Sequence, residues 1–166
     1  MSHNQVLDDS PWLAPGAIVQ MDSFLAGCDE PCVWEWGAGG SSLWFAERAA
    51  EVRSVESNRE WYERTLKELR ERDIHNVELS LLTNIFGYVH AIPGFPPMLF
   101  DLILVDGMQR NACVLVALFE LRAGGWLVLD NTEREVEYAE ALSLLKDWQR
   151  SDYAGDGFQT SIFVKP

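Results

Sequence analysis

The sequence predicts an α/β fold, a single domain whose mostly parallel sheet is flanked by helices. Two observations predict it. Short apolar runs alternate with longer stretches in which apolar residues recur at helical spacing, over most of the 166 residues. The run Phe100-Asp101-Leu102-Ile103-Leu104-Val105-Asp106 is nearly all apolar, as a strand covered by helices on both faces needs to be. With 48% hydrophobic residues the chain can bury one continuous core, and at this length a second folded domain is not expected.

Residues 1–10 are polar and unpatterned, which predicts a flexible N-terminus ahead of a single domain over 11–166. Pro15 is suited to a first helical turn, and Ala17, Ile18, Met21, Phe24 and Leu25 give a stripe for a helix over 15–26. Residues 32–36 form a short strand ending at a glycine turn. A helix over 42–50 with Leu43, Phe45 and Ala46 inward follows, then a second strand over 51–56. Ser57-Asn58-Arg59-Glu60 has capping-box form and starts a helix to about residue 72, with Tyr62, Leu66 and Leu69 on its apolar side. The third strand covers 76–82. Gly87, Pro93, Gly94, Pro96 and Pro97 confine 83–99 to a loop with one short helix, because proline removes donors and fixes the backbone. After the fourth strand, Val114, Ala117, Leu118 and Leu121 mark a helix over 109–121. Gly124-Gly125 breaks it before a fifth strand over 126–130. Thr132 and Glu135 can cap a helix carrying Tyr138, Ala141, Leu142 and Leu145, and 160–164 makes a C-terminal strand expected to be antiparallel.

Composition excludes several classes. With 13 basic and 26 acidic residues the formal charge is −13, and a duplex carrying one phosphate charge per ~1.7 Å would be repelled. No nucleic-acid partner is expected. Arg59, Arg64, Lys67, Arg70 and Arg72 interleave with Glu60, Glu63, Glu68 and Glu71, the pattern of a solvated helix face. No apolar run approaches the roughly 18 residues that cross a bilayer, and Met1-Ser2-His3-Asn4-Gln5 does not read as a leader, so no membrane partner and a cytoplasmic location are expected. Cys28, Cys32 and Cys113 are odd in number and unrelated in spacing, which argues against a disulfide framework or a four-ligand zinc site.

In open parallel sheets, ligands bind beyond the carboxyl ends of the strands where strand order reverses. The exit of the first strand, Glu35-Trp36-Gly37-Ala38-Gly39-Gly40-Ser41-Ser42, is the expected place. Gly37 and Gly39 allow a sharp turn and close backbone approach to a ligand. Ser42 stands where the dinucleotide fingerprint has its third glycine. Glu35 beside the turn would repel a pyrophosphate, yet it suits a ligand carrying an ammonium and a sulfonium. Glu56 ends the second strand 19 positions after Gly37, and its two oxygens can accept from the two adjacent hydroxyls of a ribose. A solvent-exposed strand end is the alternative for Glu56 taken singly.

As a set, Glu-x-Gly-x-Gly, the acidic end of the second strand, Phe100 to Gly107, and Gly124-Gly125-Trp126-Leu127-Val128-Leu129-Asp130-Asn131 resemble the class I S-adenosylmethionine-dependent methyltransferases, over about residues 30–131. That resemblance implies a Rossmann-like fold and an S-adenosylmethionine cofactor. By position it implies cofactor binding by Glu35, Gly37, Ala38, Gly39, Ser41, Ser42, Glu56 and Asp106. The adenine contact falls near Thr83 or Asn84, where the family's usual aspartate is absent.

Methyl transfer to a hydroxyl needs somewhere for the proton to go, which makes Asp106 the candidate catalytic residue. Asp106, Asp130 and Asn131 end neighbouring strands, so three oxygen donors suited to Mg2+ can converge there. The triple resembles the metal site of catechol and caffeoyl-coenzyme A O-methyltransferases, although Gln109 and Arg110 stand where those carry a lysine, and the chain is short for that group. Alternatively, Asp106 contacts cofactor or substrate and Asp130-Asn131 only ends a strand. Trp12, Trp36 and Trp44 are placed near the cofactor end, with core filling as the simpler role, and Trp36 inside the turn is the one best placed to stack. His90 is expected on the surface. The expected function is methylation of a small-molecule or saccharide-like acceptor, most simply at oxygen; a catalytically silent cofactor-binding module is the alternative. The short loop after Asp130 leaves little material for a lid, so the acceptor pocket is expected either to be open or to be completed by another chain, as in a homodimer.

Overall fold

A computed structural model describes residues 7–92 and 100–166 of the chain. Among the described residues seven strands form one sheet with the order β3-β2-β1-β4-β5-β7-β6. They are β1 (Cys32–Trp36), β2 (Glu51–Glu56), β3 (Val77–Leu81), β4 (Phe100–Val105), β5 (Leu121–Asp130), β6 (Gln149–Ala154) and β7 (Gln159–Val164). The first five are parallel, and β7 runs antiparallel to both β5 and β6. Strand order grows outward from β1 to β3, then restarts on the other side of β1 with β4. This reversal opens a crevice at the carboxyl ends of β1 and β4.

Among the described residues six helices cover the sheet: α1 (Pro15–Ala26), α2 (Gly40–Ala46), α3 (Arg59–Glu71), α4 (Ile85–Val89), α5 (Arg110–Glu120) and α6 (Ala139–Leu144). Alternation along β4 shows why both faces need cover. Leu102 and Leu104 pack with Met21 of α1 and Phe45 of α2, while Ile103 and Val105 pack with Val114 and Ala117 of α5. Among the described residues no helix is long and apolar enough to cross a membrane.

Several sequence expectations are corrected in detail. The cap of α3 is Asn58, not Ser57: its Oδ1 accepts from the amides of Glu60 at 2.9 Å and Trp61 at 3.2 Å. Gly124-Gly125 lies inside β5, not before it; the pairing slips between Phe100 and Leu102, and Gly124 adopts a left-handed φ of 72°. Thr132 caps nothing, since its hydroxyl pairs with Ser161 Oγ at 2.6 Å and α6 starts only after Tyr138. The helix expected over 42–50 is the shorter α2. β6 escaped the sequence pattern because Gln149-Arg150-Ser151-Asp152 is polar on both faces, as suits an edge strand.

Of the flexible N-terminus expected over 1–10, residues 1–6 lie outside the described residues. Leu7 is buried with Leu43 and Leu69. Pro93, Gly94, Pro96 and Pro97, expected to break the loop before β4, also lie outside the described residues.

Candidate functional site

The crevice is built by the turn that leaves β1. Gly37 has a φ of 100°, and a side chain there would meet the backbone of Asp106 and Gly107 at 3.0 Å. Its amide donates to the Val55 carbonyl at 2.9 Å, and the Asp106 amide donates to the Trp36 carbonyl at 3.0 Å, which ties the ends of β1, β2 and β4 together. The resulting cavity, about 250 Å3, is walled by Gly37 to Ser41, Glu56 and Ser57, Asp106 to Met108, Trp61, and the N-terminal Leu7, Asp8 and Trp12.

Three carboxylates, Asp8, Glu56 and Asp106, line this cleft. Among the described residues no lysine, arginine or histidine does. A phosphate would therefore find repulsion where a cationic ligand finds attraction.

Glu56 accepts from Ala38 N at 3.1 Å through Oε2, and from Ser57 N and Asn58 N, both at 2.7 Å, through Oε1. It thereby joins the glycine turn to the start of α3. A carboxylate has about four acceptor positions, so three amides leave room on Oε2 for one further donor.

Glu35 is placed differently from its expected role. Its carboxylate is fully buried, 0% exposed, and does not line the cleft. Ser41 Oγ donates to Oε2 at 2.7 Å, while Ser54 Oγ at 2.5 Å and Ser42 Oγ donate to Oε1. The direct contact with a ligand ammonium expected from the sequence is replaced by a bracing role. Glu35 holds the hydroxyls that fix the first turn of α2. Burial pushes its pKa up to about 7 from 4.5; the three hydroxyl donors oppose this and the charge of Glu56 adds to it.

Ser42 belongs to this bracing. It is fully buried, donates to Glu35 and accepts from the Gly39 amide at 3.1 Å, which takes it off the ligand surface. Ser41 and the backbone of Gly37, Ala38 and Gly39 remain on the wall. Asn84 lies off the cleft: exposed, it caps α4 by accepting from Gly87 N at 2.6 Å.

Asp106 lines the cleft with 26% of its side chain exposed. Burial of the rest raises its pKa. The Arg110 guanidinium opposes this, and the Asp130 carboxylate adds to it. Asp130 is raised as well, by burial first, against the Thr160 hydroxyl that donates to its Oδ1 at 2.6 Å.

The three oxygens expected to gather Mg2+ do not present an open set. Arg110 donates to Asp106 Oδ1 at 3.0 Å, to Asn131 Oδ1 at 3.1 Å and to the Asp130 carbonyl at 2.5 Å. Among the described residues no three His, Cys, Asp or Glu side chains converge as a metal set. Asp106, Asp130 and Asn131 are brought together, but around a guanidinium.

Of the tryptophans, Trp36 is in the core, donating to the Tyr88 carbonyl at 2.9 Å, and Trp44 is buried beside Phe45. Trp12 does reach the cleft. There it meets Trp61 edge to face, with ring centroids 5.5 Å apart. Trp61 was not singled out from the sequence, although its place in the first turn of α3, five residues after Glu56, was a usable signal. Leu7 and Asp8 were missed because their segment carries no periodic pattern. His90 is exposed against Phe86, away from the cleft.

No protein-family model matches the chain, and no curated protein matches it in sequence. Solved structures match it in fold. A candidate caffeoyl-CoA O-methyltransferase from Staphylococcus aureus superposes with a TM-score of 0.76 at 15% identity, covering 94% of this chain and 86% of its own. A methyltransferase-like protein from Silicibacter pomeroyi gives 0.70 at 20% identity, covering 98% and 91%. SMU.1697c, a candidate methyltransferase from Streptococcus mutans in complex with S-adenosylhomocysteine (SAH), gives 0.67 at 14% identity, covering 88% and 96%. The chain has the Rossmann-like α/β fold that these structures share.

Proposed function

We propose that this protein transfers a methyl group from S-adenosylmethionine to a hydroxyl of a small polar acceptor, saccharide-like molecules among them. The observation that carries this is the cleft wall: a glycine turn at the strand-order reversal, lined by Asp8, Glu56 and Asp106, with no basic side chain among the described residues. That lining fits a donor bearing an ammonium and a sulfonium and no phosphate. The fold shared with a candidate O-methyltransferase supports the same assignment.

The donor supplies a methyl carbon already activated by positive sulfur, so positioning accounts for much of the rate. The backbone of Gly37 to Gly39 and the free position on Glu56 Oε2 hold the donor. As the carbon–sulfur bond breaks and a carbon–oxygen bond forms, the acceptor's hydroxyl proton passes to the Asp106 carboxylate. The raised pKa of Asp106 makes it a better proton acceptor than an ordinary aspartate. A second cavity of about 340 Å3, which shares Gly107 and Met108 with the cleft, is lined by Gln109, Arg134, Glu137 and Tyr138 and suits a small polar acceptor.

The test is SAH release from methyl-labelled donor across a panel of hydroxylated small molecules. At least one acceptor should give turnover. Asp106→Asn should lower kcat by roughly 10²–10⁴-fold while SAH affinity changes little. Donor binding with no turnover on any acceptor would leave a silent binding module, and an active Asp106→Asn would remove the proposed base.

A further inference from the structure

We infer that Arg110 is a built-in cation that takes the place of a divalent metal at the ends of β4 and β5. A guanidinium has five N–H groups. In Arg110 all five have partners: Nε donates to the Gly107 carbonyl at 3.0 Å, and Nη1 to the Asp130 carbonyl at 2.5 Å and Asn131 Oδ1 at 3.1 Å. Nη2 donates to the Asp106 carbonyl at 3.2 Å and to Asp106 Oδ1 at 3.0 Å. Four of these five acceptors belong to Asp106, Asp130 and Asn131, the residues whose oxygens would otherwise surround a metal.

Two further features hold the cation there. Only 11% of the Arg110 side chain is exposed, and the Tyr138 ring lies 5.6 Å from its guanidinium carbon. Arg110 is also the first residue of α5, directly after Gln109, whose left-handed φ of 53° sets the direction in which the helix leaves β4.

A hard divalent ion such as Mg2+ needs about six oxygen ligands near 2.0–2.1 Å. Here Asp106 Oδ1 and Asn131 Oδ1 are turned toward the guanidinium, Asp130 Oδ1 accepts from Thr160, and the Asp106 and Asp130 side chains hydrogen-bond to each other. An entering metal would have to expel Arg110 and leave five donors in a nearly buried place without partners. Retained beside it, Arg110 would repel the ion. Arg110 lines the second cavity but has no N–H to spare for a ligand there; it is a positioning residue that fixes Asp106 Oδ1 at the cleft. This assignment stands on the arginine's own bonds and does not depend on methyl transfer.

Mn2+ is the probe, with free and bound ion followed by paramagnetic resonance on wild type, Arg110→Ala and Arg110→Lys. Wild type and Arg110→Lys should show no saturable 1:1 binding. Arg110→Ala, which frees Asp106 Oδ1, Asn131 Oδ1 and the Asp130 carbonyl, should gain saturable 1:1 Mn2+ binding. Stoichiometric binding to wild type that disappears in Asp130→Asn would overturn the inference. So would a folded Arg110→Ala, checked by circular dichroism, that still ignores the ion. If Arg110→Ala does not fold, the wild-type and Arg110→Lys titrations decide the matter alone. SAH calorimetry with and without a chelator separates this from the donor assignment: a chelator-sensitive affinity contradicts the built-in cation, whereas no SAH binding at all contradicts the proposed function and leaves the Mn2+ result standing.

Discussion

A fully buried carboxylate braced by three serines is the feature that most changes the chemistry of the turn. Glu35 could be picked out from the sequence because an acid beside a glycine turn is unusual, but sequence position does not show which way a side chain points. On β1 it lies on the face of Val33, under α2, so it acts on the turn through Ser41 and Ser42. The pH dependence follows. Its folded pKa of about 7 exceeds 4.5, so the folded state holds the proton more tightly; its contribution is fully present below pH 4.5, declines as pH rises and is lost above about 7. Glu35→Gln keeps the acceptor geometry without the charge. Its stability relative to wild type should improve by on the order of 3 kcal/mol from pH 4.5 to above 7, read from denaturant unfolding at each pH. A pH-independent difference would mean that Glu35 is not held protonated by burial. Trp61 and Arg110 were harder to read, because each looks from its own helix pattern like an ordinary residue, and only the fold brings Trp61 to the cleft and Arg110 to the cavity beside it.

At the scale of elements, β4 was legible because a buried parallel strand writes itself as an apolar run, and β1 because the glycine turn marks its end. β6 was not legible, since an edge strand exposed on alternate residues carries no apolar period. Neither was the segment over residues 7–12, whose order comes from tertiary contact alone: Leu7 is buried against Leu43, Arg72 pairs with Asp9 at 2.7 Å, and Trp12 meets Trp61. This segment crosses the first turn of α2 closely. A side chain at Gly40 would collide with the Asp8 carbonyl and lie 2.8 Å from the Ser10 carbonyl. Gly40→Ala should therefore lift the segment, change the tryptophan fluorescence through Trp12 and Trp61, and cost about 1–3 kcal/mol in thermal unfolding. SAH affinity should fall with it, since Leu7, Asp8 and Trp12 form part of the cleft wall. Unchanged fluorescence and affinity would show that the segment is not part of the site.

For the whole molecule, strand order and charge act together. The order β3-β2-β1-β4-β5-β7-β6 puts the crevice between β1 and β4, and the excess of acidic residues that gives a net charge of −13 continues into that crevice as Asp8, Glu56 and Asp106. The fold was predictable from alternation. The donor class we propose could be read from the sequence too, although the acids that oppose phosphate are those on the wall, not Glu35. The second cavity was not legible in the sequence, because it is lined by loop and helix-start residues with no pattern of their own. The most direct measurement is calorimetry of SAH against wild type and Glu56→Gln, with NADH as a phosphate-bearing control. Wild type should bind SAH 1:1, Glu56→Gln should lose roughly tenfold in affinity with the loss of a charged acceptor, and NADH should give no heat. No SAH binding to wild type, or tighter binding of NADH, would contradict the account.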